Sequence, residues 1–115
     1  MRAILSAQAQ SLRSIAHVLD SMPGAEVVSV RPAQSIHDWA VVQLDCNAAW
    51  LPYVVGAVQV DRHAGHLHLR WRGPLQVAFI LVLAEARCHE LRGLELQDAE
   101  GRPLTVGESP ALVAA

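Results

Sequence analysis

The residues best suited to chemistry lie in one short stretch, DRHAGHLHLRW, which runs from Asp61 to Trp71. It contains three of the six histidines of the chain, His63, His66 and His68, together with the Asp61 carboxylate. Zinc prefers imidazole, thiolate and carboxylate ligands, and three protein ligands with a water molecule form the usual catalytic zinc site. The stretch therefore predicts a candidate metal site made of Asp61, His63, His66 and His68.

The pairing of the two halves of this stretch decides which side chains share a face. A two-residue turn at Ala64–Gly65 places His63 opposite His66 and Asp61 opposite His68. The polar side chains then lie on one face of the hairpin and the apolar ones on the other. A three-residue loop with a bulge would mix polar and apolar side chains on both faces. The amphipathic pattern therefore favours the two-residue turn.

Three interpretations of this histidine face stay open. Directly opposed residues have Cβ atoms about 4.5–5.5 Å apart, so His63 and His66 can share a metal ion, whereas a flat ribbon carries His68 away from them. The second interpretation is the solvent-facing side of an antiparallel sheet, which is ordinarily polar. The third is a pH-dependent subunit contact, because clustered histidines with an ordinary pKa of about 6.5 charge together on mild acidification.

A second candidate region is CNAAWLPYVVGAV, residues 46–58. Asn47 is expected to cap one helical turn, which the following proline and glycine prevent from growing longer. Trp50 and Tyr53 are predicted to anchor an interface or to line a ligand pocket, because aromatic anchors contribute strongly to such sites. The alternative for Trp50 is that it closes one end of the core.

No segment matches a phosphate-binding glycine loop, a nucleophile elbow, a zinc-protease helix or a dinucleotide fingerprint. No catalytic residue is therefore assigned. Cys46 and Cys88 are too few for a disulfide framework and match no zinc spacing. They are expected to be reduced thiols in a cytoplasmic protein.

Hydrophobic periodicity and turn residues predict the elements that position these side chains. The predicted elements are, in chain order, a helix over 4–22, strands over 25–31 and 39–45, a hairpin of strands 58–63 and 66–71, a helix over 75–92, and one or two strands between 94 and 106. The first two strands are expected to pair as an antiparallel hairpin with a rather long loop.

These elements predict an α+β fold: an antiparallel sheet of about four to six strands with two main helices, 4–22 and 75–92, packed on one face. The first half of the second helix contains VAFILVLA, is apolar nearly all round and predicts burial on more than one side. The segment SMPGAEVVSV, residues 21–30, is similar to a helix end and valine-rich strand of ferredoxin-like and ACT-type regulatory domains. The resemblance implies a ferredoxin-like or ACT-like sandwich as the alternative fold.

Composition limits the domain organisation and the partners. The 115 residues predict a single domain, 1–115, with a frayed tail from about residue 108. Apolar residues make up 52% of the chain, more than a small domain readily buries, which predicts a homodimer. The net charge of −2 argues against nucleic-acid binding, and no apolar run approaches the roughly 20 residues that span a bilayer. Nine arginines without a lysine suggest a GC-rich, bacterial genome.

Together these features predict a small cytoplasmic, non-enzymatic binding protein that acts as a homodimer on a protein or small-molecule partner and needs no cofactor. The first alternative is a metal-binding protein or small metal-dependent hydrolase that uses the histidine hairpin 61–68, with zinc as the candidate ion. The second alternative is a small-molecule-binding regulatory domain with Trp50 and Tyr53 at its pocket.

Overall fold

A computed structural model describes residues 2–107 and 112–114 of the chain. The elements are, in chain order, α1 (Arg2–Asp20), β1 (Val27–Arg31), β2 (Ala40–Leu44), the 3₁₀ helix η1 (Ala48–Tyr53), β3 (Ala57–His63), β4 (His66–Arg72), β5 (Val77–Ala84), the 3₁₀ helix η2 (Glu85–Leu91), β6 (Glu95–Gln97), β7 (Pro103–Val106) and β8 (Leu112–Ala114). Of the tail expected to fray from about residue 108, positions 108–111 and 115 lie outside the described residues, and 112–114 form β8.

The strands form one mixed sheet of eight, in the order β1-β2-β5-β4-β3-β6-β7-β8. Five neighbouring pairs are antiparallel, and two pairs, β2 with β5 and β3 with β6, are parallel. Parallel neighbours need long connections, which here contain the β3–β4 hairpin and both 3₁₀ helices. In this strand order β5 lies inside the sheet, because it pairs with β2 on one side and with β4 on the other.

One face of this sheet, here called the inner face, carries the core. Side chains alternate between buried and accessible along β2, β3, β4 and β5, as the two-residue period of a strand requires. The buried set on these four strands is Ala40, Val42, Leu44, Val58, Val60, Leu67, Leu69, Trp71, Val77, Phe79, Leu81 and Leu83. Helix α1, both 3₁₀ helices and β8 contribute the buried residues that cover this face.

Helix α1 covers the part of the inner face formed by β2 and β5. Ile15 and Val18 of the helix and Met22 just after it are buried, whereas Leu12, part of the predicted apolar face, is 52% exposed. The predicted helix over 4–22 is confirmed to within two residues at its ends. The Tyr53 hydroxyl donates to the Pro23 carbonyl oxygen at 2.8 Å and thereby joins the end of η1 to the turn after α1.

Both hairpins predicted in the first two thirds of the chain are confirmed. β1 and β2 pair antiparallel with Val30 opposite Val42 and a bulge in β1 at Val28. In β3 and β4, His63 lies opposite His66 and Asp61 opposite His68. The amphipathic pattern therefore identified the register of this hairpin.

The prediction of a helix over 75–92 is wrong. Its first half is the strand β5 and its second half the short 3₁₀ helix η2. A short apolar run is compatible with either a buried helix or a buried strand, and only its neighbours distinguish the two. Here the backbone of β5 pairs with β2 and with β4, so the available partners on both sides select the strand.

This change also overturns the predicted fold class. The described residues form an eight-stranded mixed sheet with one main helix, instead of four to six antiparallel strands under two helices. The ferredoxin-like or ACT-like alternative is wrong for the same reason, because a ferredoxin-like sandwich requires two crossover helices. The physical cause of both corrections is that Val77–Ala84 pairs with strands on both sides, and a helix has no free backbone groups for such pairing.

Two arginines attach η2 and the far end of the sheet to the core. Arg87 makes two contacts with Glu90, at 2.6 and 2.9 Å, and donates to the Cys46 carbonyl oxygen at 2.8 Å. Arg62 pairs with Glu85 at 2.6 Å and donates to the Leu112 carbonyl oxygen at 3.2 Å. Since β8 is three strands from β3 in the sheet order, the last contact shows that the β6–β8 end curls toward the inner face.

Candidate functional site: the outer face of the sheet

The side chains opposite the core form the outer face of the sheet. It consists of Val41 and Gln43 from β2, Ala78, Ile80, Val82 and Ala84 from β5, His66, His68, Arg70 and Arg72 from β4, and Ala57, Gln59, Asp61 and His63 from β3. The elements that cover the sheet all add their buried residues to the inner-face core. Within the described residues, the outer face is therefore the more accessible face of the sheet.

The tight turn at Ala64–Gly65 sets the position of the histidines. Both residues have positive φ angles, 50° and 79°, as a type I′ hairpin turn requires. The Gly65 carbonyl oxygen also accepts the Glu85 backbone N–H at 3.0 Å, which ties the turn to the start of η2. All three histidines consequently project from the outer face and are exposed.

The histidines approach one another without forming a closed metal site. The ring centroids of His63 and His68 lie 6.1 Å apart in an edge-to-face arrangement. His66 Nδ1 lies 3.3 Å from the Ala64 carbonyl oxygen, a distance at which the tautomer protonated on Nδ1 donates a hydrogen bond. Within residues 2–107 and 112–114, no group of three or more histidine, cysteine, aspartate or glutamate side chains is arranged to hold a metal ion.

The second predicted site divides between the core and a surface depression. Trp50 is 2% exposed, and its ring stacks on that of Trp71 at 5.1 Å. Trp71 in turn stacks on Phe79 at 5.5 Å, so the three rings form an aromatic column on the inner face. Tyr53 is half-buried and borders a depression with Val55. The structure thus places Trp50 in the core, and it does not bring Trp50 and Tyr53 together in one pocket.

An apolar stripe runs along the outer face of β5. Its members, Ala78, Ile80, Val82 and Ala84, lie between polar side chains of β4 and the strand β2. Val82 is 36% exposed, whereas every inner-face residue of the same strand is at most 2% exposed. The sequence carried the signal for this stripe in VAFILVLA, whose apolar residues face both sides of the strand, but the pattern was assigned to a helix.

A basic pair on β4, Arg70 and Arg72, was not assigned to a site from the sequence. The predicted strand ended at residue 71, whereas β4 continues to Arg72 and places it on the same face as Arg70. The Arg72 guanidinium carbon lies 5.0 Å from the centroid of the Trp39 ring, which holds it by a cation–π contact. A depression of about 510 Å³ beside the pair is bordered by Gln59 and Gln97.

Two carboxyl groups away from this face, those of Asp38 and Glu90, have lowered pKa values. Hydrogen bonds from the Gln34 backbone N–H and from Arg31 lower the pKa of Asp38. The hydrogen bonds from Arg87 lower the pKa of Glu90, and the same contacts raise the pKa of Arg87. Both ion pairs join neighbouring parts of the chain, and their hydrogen bonds account for these pKa changes.

Comparison with protein-family models, with curated proteins and with solved structures finds no match to this chain. In the part of the chain that the structure describes, no helix is both long and apolar enough to cross a membrane. Cys46 is half-buried and Cys88 is buried, and neither forms a disulfide.

Proposed function

We propose that the protein is a cytoplasmic, non-enzymatic binding protein that acts as a twofold homodimer, with the outer face of the sheet as its contact surface. The observation that carries this proposal is the apolar stripe on β5. A strand whose two faces are both apolar is typical of a sheet covered on both sides. Among the residues that the structure describes, those that cover β5 pack on its inner face.

A second copy is the simplest cover for the stripe. A twofold axis near β5 would place Ile80 and Val82 of one subunit against the same residues of the other, since such an interface is self-complementary. The polar side chains of β3 and β4 would then surround an apolar centre, which is the usual arrangement of a protein interface. The apolar content of 52% agrees with a second buried surface.

Sedimentation velocity of untagged protein at micromolar concentration tests the dimer directly. We expect twice the mass of one chain, and we expect Ile80→Glu/Val82→Glu to reduce it to the mass of one chain with an unchanged circular dichroism spectrum. Val28→Glu is the matched control, because Val28 is 59% exposed on the edge strand β1 and lies away from the stripe. A wild-type monomer at these concentrations, or a double variant that stays dimeric, would refute the proposal.

Crosslinking provides a second measurement that does not depend on a charged substitution. In a Cys46→Ser background, Val82→Cys should form an intermolecular disulfide on oxidation, because residues near a twofold axis meet their own copies. Val28→Cys in the same background should not. Equal crosslinking of the two variants would indicate random collision and would exclude a contact centred on β5.

A further inference from the structure

From the basic pair on β4 we infer a binding site for a small oxyanion, a phosphate or carboxylate group, between Arg70, Arg72, Gln59 and Gln97 on the outer face. These side chains border one depression of about 510 Å³ that spans β4, β3 and β6. Its lining residues include two guanidinium and two amide groups and no carboxylate. This inference rests on the proposed binding function and names the chemical class of its ligand.

The two arginines have no carboxylate partner within the described residues. The ion pairs there join Arg31 to Asp38, Arg62 to Glu85 and Arg87 to Glu90. Arg70 and Arg72 are two positions apart on one strand, so their Cα atoms lie only about 7 Å apart and both side chains leave the same face. Neighbouring like charges repel unless a counter-ion lies between them.

Two acidic residues of the outer face lie near the depression but do not line it. Asp61 is the next outward residue of β3 after Gln59, and Glu95 pairs with Ala57 at the start of β6. Neither carboxylate lies within 4.0 Å of a guanidinium nitrogen of the pair. Among the described residues, no carboxylate balances the charge of the two arginines, which leaves both guanidinium groups open to an anion from solution.

The Trp39 ring restrains one of the two guanidinium groups, that of Arg72, before a ligand binds. Its contact with the Arg72 guanidinium carbon at 5.0 Å restricts the side chain, which reduces the entropy that a ligand must otherwise overcome. A guanidinium presents a planar fork of N–H donors that matches carboxylate and phosphate oxygens. The amides of Gln59 and Gln97 can add N–H donors from the neighbouring strands.

The depression lies at the side of the proposed dimer contact. Its arginines lie on β4, the neighbour of β5, and its glutamines lie on β3 and β6, roughly 10 and 14 Å from β5 at ordinary strand spacing. Because sheets twist, two faces that meet at β5 diverge with distance from the contact. The oxyanion site therefore stays open in the dimer, at the edge of the interface.

Titration with inorganic phosphate, followed by the ¹H–¹⁵N NMR signals of the arginine Nε groups, tests the site. We expect saturable shifts of the Arg70 and Arg72 signals at millimolar phosphate, with one site per chain, and the same titration with succinate distinguishes a carboxylate ligand from a phosphate. Chloride at matched ionic strength should produce no saturation. Shifts that grow with ionic strength for every salt, or no shift, would overturn the inference.

Variants separate this site from the proposed dimer. Arg70→Gln and Arg72→Gln should each weaken binding about tenfold, the cost of one charge-assisted hydrogen bond. Arg13→Gln, an exposed arginine on α1, is the matched control and should leave binding unchanged. All three variants should keep the wild-type sedimentation mass, so the site and the dimer can fail independently. Phosphate binding by the Arg70→Gln/Arg72→Gln double variant with wild-type affinity would refute the assignment.

Discussion

The two faces of the sheet are built from the same strands and differ in almost every other respect. On the inner face, leucine, valine and aromatic side chains are nearly inaccessible, and Trp50, Trp71 and Phe79 stack in one column. On the outer face, histidine, arginine and glutamine surround the apolar stripe of β5. Alternate side chains of one strand lie in different surroundings and can therefore serve different purposes. The inner set packs in the core and stabilises the fold, whereas the outer set is more accessible.

The largest effect on stability is expected from the inner face. Trp50→Ala removes the buried ring that stacks on Trp71 at 5.1 Å and leaves a cavity, so the free energy of unfolding should fall by about 3–5 kcal/mol. Urea denaturation followed by far-ultraviolet circular dichroism measures it. Trp39→Phe, at a half-buried position outside this column, serves as the control and should cost far less. Similar losses in the two variants would mean that the aromatic column does not control stability.

A gain in stability is expected at the turn that joins β4 to β5. Leu75 and Gln76 have φ angles of 57° and 56°, a left-handed conformation that costs roughly 1–2 kcal/mol for a residue with a Cβ. The Val77 N–H donates to the Pro74 carbonyl oxygen at 3.1 Å, as in a type I′ turn, which prefers Asn-Gly. Leu75→Asn/Gln76→Gly should therefore raise the free energy of unfolding by about 1–2 kcal/mol in urea denaturation.

Alanine at the same two turn positions provides the control. Leu75→Ala/Gln76→Ala keeps the Cβ atoms and therefore the cost of the left-handed conformation. If this variant gains as much stability as the Asn-Gly variant, the effect comes from the exposed Leu75 side chain and not from the backbone. The outer face should bind its partner unchanged in both variants.

Acid should weaken the attachment of η2 by a smaller amount. The pKa of Glu90 is lower in the folded protein than in the unfolded chain, because Arg87 donates two hydrogen bonds to the ionised carboxylate. Its contribution is complete above the ordinary glutamate pKa of about 4.3 and is lost as the pH falls through the lowered value. The stability of the wild type should therefore decrease more between pH 5 and about pH 3 than that of Glu90→Gln, by urea denaturation. Parallel profiles would show that this ion pair adds no stability.

The smallest effect is expected from the histidines. His63→Ala/His66→Ala/His68→Ala changes exposed side chains, and the melting temperature should stay close to that of the wild type, with and without a chelator. The zinc alternative predicts the opposite result: a stoichiometric zinc adduct in native mass spectrometry and a melting temperature that falls on chelation. If the histidines are the ligands, the triple variant should show neither the zinc adduct nor the fall in melting temperature on chelation.

The local parts of the candidate site could be predicted from the sequence. The alternation of Val60, Leu67 and Leu69 with Asp61 and the histidines selected the hairpin register, since a shift of one residue would have exposed the apolar set. The place of Trp50 could not be decided, because its sequence neighbours suit a surface loop as well as the end of a core. Its burial depends on Trp71, which lies 21 residues further along the chain and stacks on it.

By itself, the sequence determined the elements whose pattern is complete within a few residues: helix α1, the first two hairpins and the amphipathic histidine face. Only the tertiary structure decided that Val77–Ala84 is a strand and that Arg72 joins Arg70 on the outer face. The physical reason is that the backbone N–H and C=O groups of an apolar run can form hydrogen bonds in two ways. They pair within the run in a helix, or with neighbouring strands in a sheet. The neighbours of β5 are β2, which lies far away in sequence, and β4, and a strand between them provides hydrogen bonds on both sides.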